Sequence, residues 1–324
     1  MNSTVLHDAS VLVWKVGVPI TITSGTFGNI MVLLVQRRIT DSSSSSLSLY
    51  FMWLAVSDLL ALWSDQICWF LAACDAFIDY EVVCKLRVFL GYFTGQSSPA
   101  ILVAMTFQRA ASIWWPLKVG VYCNEKFARV VMVSIIVFIV LLNSHLLYGH
   151  SLQNQSGNET AKCFFSYVSP EYGDFMNLVY GWVDTTFCSI LPFFLLFAAN
   201  SALIWKVRTS LRETKQNLAS GHSSQIQARH KKSSSMTVTL IVISIAFIVL
   251  TLPLSMYFVY ARTFSQGADD DPTIAAANEL ALASTSVLFF FNYAINFYIY
   301  CLTGNKYRTE CAKLFCLHSD SKSS

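Results

Sequence analysis

Six stretches of this chain, residues 16–36, 88–108, 130–149, 185–205, 233–261 and 280–305, run without a single Asp, Glu, Lys or Arg. A seventh, 47–73, is broken only by Asp58 and Asp65. A bilayer core of about 30 Å is crossed by roughly 20 apolar residues in an α-helix, so each stretch is long enough to span it. The runs are continuous, which excludes the alternating pattern of a membrane β-barrel. Only 13% of the 324 residues are charged, about half the share that keeps a soluble domain wet. The expected fold is an all-α membrane protein, a bundle of seven transmembrane helices. A net charge of only +3 argues against nucleic acid as a partner.

Positive charge collects on the cytoplasmic side of a membrane protein. With the N-terminus outside, 17 of the 22 Lys and Arg fall inside, and the exceptions are Lys15, Lys85, Arg87, Lys162 and Arg262. The Asn-x-Ser/Thr acceptors Asn2, Asn154 and Asn158 then all face outward, where glycosylation takes place. Residues 1–10 lack a basic start and an apolar stretch. They read as an extracellular tail before a first helix that serves as an uncleaved signal. Residues 11–303 form the membrane domain. After Gly304, Tyr307, Cys311, Leu314 and Phe315 recur at helical spacing among Lys306, Arg308 and Lys313. Residues 304–324 therefore read as a short interfacial amphipathic eighth helix and a cytoplasmic tail. Cys311 and Cys316 are candidate palmitoylation sites.

Gly28-Asn29, Leu54-Ala55-Val56-Ser57-Asp58-Leu59, Cys84 with Gln108-Arg109-Ala110, Pro192, Pro253 and Asn296-Phe297-Tyr298-Ile299-Tyr300 occur in order and at characteristic spacing. Together they resemble the motifs of rhodopsin-like (class A) G-protein-coupled receptors over residues 28–308. The resemblance implies a receptor that passes an extracellular signal to a heterotrimeric G protein by rearranging helices. Arrestin is a second implied partner, favoured when serines after Lys231-Lys232 or in the tail take phosphate. Also implied is a disulfide from Cys84 to Cys163, pinning the long outer loop between spans four and five.

An ionisable group at mid-bilayer costs about 2.5–3.5 kcal/mol on insertion scales and needs a partner. For Asp58 the resemblance supplies one: Ser98, Asn292 and Asn296 match positions that hold a sodium ion beside this carboxylate, and oxygen ligands suit such a hard cation. The competing reading is a neutral, hydrogen-bonded Asp that only packs helices. Arg109 matches the arginine that closes the inner cavity at rest and engages the G protein. Gln108 stands where the family has an acid, so a weaker resting lock is expected. Phe247, Pro253 and Tyr300 match switch positions. Thr251 replaces the usual tryptophan, and Phe297 replaces a proline whose kink is then not encoded.

Gly91 stands where amine receptors carry an aspartate, and Phe290 where photopigments carry a lysine. The outer half holds 5 bases against 13 acids, a field that attracts a cationic ligand. Asp65, seven residues from Asp58 and expected on almost the same helix face, and Asp184 are the acids placed to bond a ligand cation. Tyr92, Gln96 and Trp69 offer stacking and amide contacts, with ordinary helix packing as the competing reading. Arg262 would meet a ligand acid or the loop aspartates. Residues 296–308 and Thr251-Leu252-Pro253-Leu254 resemble invertebrate FMRFamide-receptor-like proteins, which implies a short, basic, often amidated neuropeptide. The alternatives are a chemosensory receptor for small external molecules or, from another class, an ion channel or transporter using Asp58 and Asp65. With no convergent nucleophile, metal or acid–base set, an enzyme is not expected, and no cofactor beyond the sodium ion is implied.

Overall fold

The computed structural model describes residues 2–42, 46–76, 80–115, 118, 123–151, 167–218, 224–264 and 271–320. Among them, seven helices are long and apolar enough to cross a membrane: α1 (Ser3–Asp41), α2 (Ser46–Ala73), α3 (Glu81–Trp114), α4 (Glu125–Gly149), α5 (Pro170–Thr209), α6 (Met236–Thr263) and α7 (Pro272–Thr303). At Gly304 the chain leaves the helical region, and α8 (Asn305–Asp320) starts anew. Helix starts follow from capping chemistry. Asn124, Ser169 and Asp271 each accept a backbone N–H of the following turn, and Pro170 and Pro272 occupy first-turn positions whose N–H would be unpaired.

The first helix begins at Ser3, so residues 3–10 continue α1 and no break separates a tail at residue 10. At 1.5 Å per residue this helix outruns the bilayer core, which lets its Trp14 stack on Trp69 of α2 at 5.0 Å between ring centres. Further along, α1 meets α2 and α7 closely because Gly25 has no side chain. A Cβ there would lie 2.6 Å from Leu62 Cδ1 and 3.1 Å from Ala294 Cβ. One turn on, Asn29 Nδ2 donates to the Tyr293 carbonyl of α7 at 2.9 Å.

The interior proline of α3 is absorbed locally. Pro99 has no N–H for the carbonyl of Gly95, and Cys188 of α5 donates its thiol to that carbonyl at 3.3 Å. Wide π-helical turns interrupt α2 at Leu62–Gln66 and α5 at Met176–Tyr180 and Thr186–Ile190. A π turn holds an extra residue and widens the helix locally. Asp58 lies in the sealed middle of the bundle against Ser98 of α3, and Asp65 lies in a cavity wall, where a Cβ on Gly91 of the same α3 would come within 3.5 Å of its Cγ.

Gly25→Val should destabilise the purified protein by about 2 kcal/mol through overpacking of the α1–α2–α7 contact, read as a lowered thermal midpoint in detergent. Gly95→Ala, whose Cβ would have nothing within 4 Å, should leave the midpoint nearly unchanged.

Candidate functional site

Asp58 is completely buried. Ser98 Oγ of α3 donates to its Oδ1 and Asn296 Nδ2 of α7 donates to its Oδ2, both at 2.8 Å. Ser57 Oγ lies 3.4 Å from Ser98 Oγ. Asn292 is buried one turn before Asn296 but is not among the groups bonded to the carboxylate. Both carboxylate oxygens are therefore satisfied by neutral donors, the condition a buried acid requires.

Toward the Cys84 end of the bundle, a cavity of about 570 Å³ opens between α2, α3, α5, α6 and α7. Asp65, Trp69, Tyr92, Asp184 and Arg262 all line it, as does Arg87. Gln96 stands behind the wall, and its Nε2 donates to Asp184 Oδ1 at 2.9 Å. Gln96 Oε1 accepts from Asn143 Nδ2 of α4 at 2.8 Å, and Asn143 Oδ1 accepts from the Tyr180 hydroxyl. Tyr92 packs at 5.6 Å from Tyr180. Arg262 Nη1 donates to the Gly181 carbonyl at 2.6 Å and to Thr185 Oγ1 at 2.8 Å, with its guanidinium 5.6 Å from the Phe258 ring centre. Tyr167 completes the wall just before α5, where burial pushes its phenol above the usual tyrosine range and keeps it protonated as a donor.

Asp65, expected to bond a ligand cation, is faced by the buried Arg87 of α3, with Nε 3.8 Å from Asp65 Oδ1 and the guanidinium 5.3 Å from the Trp69 ring. Nor is Arg262 bonded to the one described loop aspartate, Asp271. Cys84 is buried and disulfide-bonded. Its expected partner Cys163, with Asn154 and Asn158, lies outside the described residues, while Asn2 is exposed just before α1.

At the opposite end, Gln108 Nε2 donates to Ser46 Oγ, which in turn donates to the Cys123 carbonyl at 2.6 Å. Arg109 Nε donates to Thr237 Oγ1 of α6 at 3.1 Å, and its Nη1 reaches Ser112 Oγ at 3.4 Å. Phe247 and Tyr300 are both buried in the apolar core, Tyr300 edge-on to Phe51 at 4.9 Å. Pro253 follows Thr251, whose hydroxyl donates back to the Phe247 carbonyl. Cys311 is buried in the same core, and the Cys316 side chain lies outside the described residues.

The family model of the 7 transmembrane receptor (rhodopsin family) matches residues 28–300. The chain belongs to that family. Among its relatives are cysteinyl leukotriene receptor 1 of Cavia porcellus, 25% identical over 249 residues (74% of this chain, 67% of the relative), and of Homo sapiens, 28% identical over 234 residues (71% and 63%). Growth hormone secretagogue receptor type 1 of Mus musculus is 25% identical over 317 residues (92% and 79%). The chain spans no more than about two thirds of the leukotriene receptors' length. These vertebrate receptors do not carry the expected likeness to FMRFamide receptors. The seven-helix membrane fold and the receptor class stand.

Arg87, Asn143, Tyr180 and Thr237 were not singled out in the sequence. Arg87 and Asn143 each left a signal, a charge at the mouth of an apolar span and an amide inside one. Their partners sit on other helices. If Asp65 and Arg87 form a working pair, a double-mutant cycle with Asp65→Asn and Arg87→Gln should give a coupling of about 1–3 kcal/mol in unfolding free energy; additive losses would show that the pair contributes nothing.

Proposed function

We propose that this protein is a cell-surface receptor, N-terminus outside, that binds its ligand in the 570 Å³ cavity and activates a heterotrimeric G protein at the Arg109 end. The observation that carries this reading is the Arg109–Thr237 hydrogen bond, a neutral latch joining α3 to α6. The same α3 lines the ligand cavity and bonds Asp58. Gln108 is committed to Ser46 and carries no charge, so the residue before Arg109 supplies no ion pair to hold the arginine at rest. Asn2, Asn154 and Asn158 then face outward as glycosylation sites, Cys84 and Cys163 form the outer disulfide, and arrestin competes at the inner face. The tail is anchored by acylation at Cys316, or at Cys311 once α8 turns that thiol out of the core.

The ligand we favour is a short basic peptide whose cation meets Asp184. Asp184 Oδ2 has no partner among the described residues, whereas Asp65 already faces Arg87. A cavity of this size lies in the range that encloses a small ligand. The relatives' names favour a ligand receptor of this kind, and nothing in them favours a channel or transporter. At the buried centre, Asp58, Ser98 and Asn296, with Asn292 a turn away, present the oxygen-bearing side chains that a sodium ion takes. Such an ion would supply the positive charge that balances Asp58.

A hydrogen bond from a charged donor contributes about 1.5–3 kcal/mol, so Thr237→Ala should raise basal nucleotide exchange on a G protein about tenfold; unchanged exchange would remove the latch. Replacing potassium by sodium should lower basal exchange of the native chain and leave Asp58→Asn indifferent, because an ion held in one conformation biases the balance toward it. Equal sodium responses in both would remove the ion site.

A further inference from the structure

The cavity is lined by two acids and two arginines, one of each on either wall, but only one wall pairs them. On the α2–α3 wall Asp65 and Arg87 face each other at 3.8 Å, and Arg87 also lies over Trp69, itself backed by Trp14. That wall is internally balanced. On the α5–α6 wall Asp184 and Arg262 stand within one turn of each other along α5, since Arg262 is bonded at Gly181 and Thr185. They nonetheless form no ion pair among the described residues. Each is held by neutral groups instead: Asp184 by the Gln96 amide, Arg262 by a carbonyl and a hydroxyl.

Both charges are fixed from behind. The Tyr180 hydroxyl donates to Asn143, Asn143 to Gln96 and Gln96 to Asp184, so three successive donors point toward the carboxylate and leave Oδ2 for the cavity. The guanidinium is seated against α5 because residue 181 is glycine. A Cβ there would come within 2.5 Å of Arg262 Cζ. Its Nη2 and Nε have no hydrogen-bond partner among the described residues.

Resting on the reading of this cavity as the ligand site, we infer that it takes a zwitterionic ligand, one whose cation meets Asp184 and whose carboxylate meets Arg262. A purely cationic ligand would cover Arg262 from water without pairing it, and a purely anionic one would do the same to Asp184. Burying an unpaired charge is costly, while bidentate guanidinium–carboxylate pairing is among the stronger polar contacts. A free C-terminal carboxylate is therefore preferred to a C-terminal amide, the opposite of what the FMRFamide-receptor likeness implies. Such a ligand ties α5 to α6 through its own two charges and competes with the Arg262 bonds that join them at rest.

Three peptides serve as probes on the purified full-length chain in lipid nanodiscs: Phe-Arg-Phe with free termini, its C-terminal amide, and N-acetyl-Phe-citrulline-Phe with a free carboxylate. The free-acid peptide should bind at least about tenfold tighter than either analogue. Arg262→Gln should erase its advantage over the amide, Arg262→Lys should restore part of it, and Asp184→Asn should erase its advantage over the citrulline peptide. Thermal midpoints of the variants near that of the native chain confirm that they fold. Equal or tighter binding of the amide, or no saturable binding of the free-acid peptide, overturns the inference. Basal nucleotide exchange on the same preparation separates the outcomes: exchange that responds to Thr237→Ala leaves the receptor standing while the charge assignment falls.

Discussion

In the middle of the bundle a single carboxylate joins three helices. Asp58 of α2 accepts from Ser98 of α3 and from Asn296 of α7, the partners that an acid this deep in an apolar core requires. Around it the packing is tight, with Gly25 and Asn29 bringing α1 against α2 and α7. Because the hydrocarbon offers no water, buried polar groups bond within the protein, the hydroxyls of Thr106, Ser244 and Thr251 to their own helix and Asp58 and Asn29 across helices. The polar contacts therefore fix how the helices are seated, and the apolar surfaces fill the space between.

α3 connects the parts. From the disulfide-bonded Cys84 it passes Arg87 and Tyr92 in the cavity wall, Gln96 behind Asp184, Ser98 at Asp58, and Arg109 at the opposite end. Pro99 stands beside Ser98, and its unpaired acceptor is met by Cys188 of α5. A shift of α5 caused by a ligand at Asp184 would thus be felt both through Gln96 and at the Pro99 turn, a physical route from the cavity to the arginine that needs no tryptophan at position 251.

Much of the candidate site was legible in residue types. Asp58 stood out because an acid in an apolar run is costly, and Ser98 and Asn296, two of the residues grouped with it, donate to it directly. Gln108 and Arg109 were legible as a pair that cannot form a charge lock. One charge was misplaced. Arg87 was counted as one outer base among five, although it lies inside facing Asp65 and so cancels part of the field that the acid count described.

The amino-acid order by itself determined that the chain crosses a membrane seven times and which ionisable groups are too expensive to leave in lipid without a partner. These are local properties, set by hydropathy over about 20 residues and the cost of desolvating a charge. Only the tertiary structure decided which acid is already matched and which stays open, because that depends on how α2, α3, α5 and α6 are rotated against one another. A hydrogen bond is settled within about 3 Å, a distance no spacing along the chain can specify between residues 96 and 184 or 109 and 237.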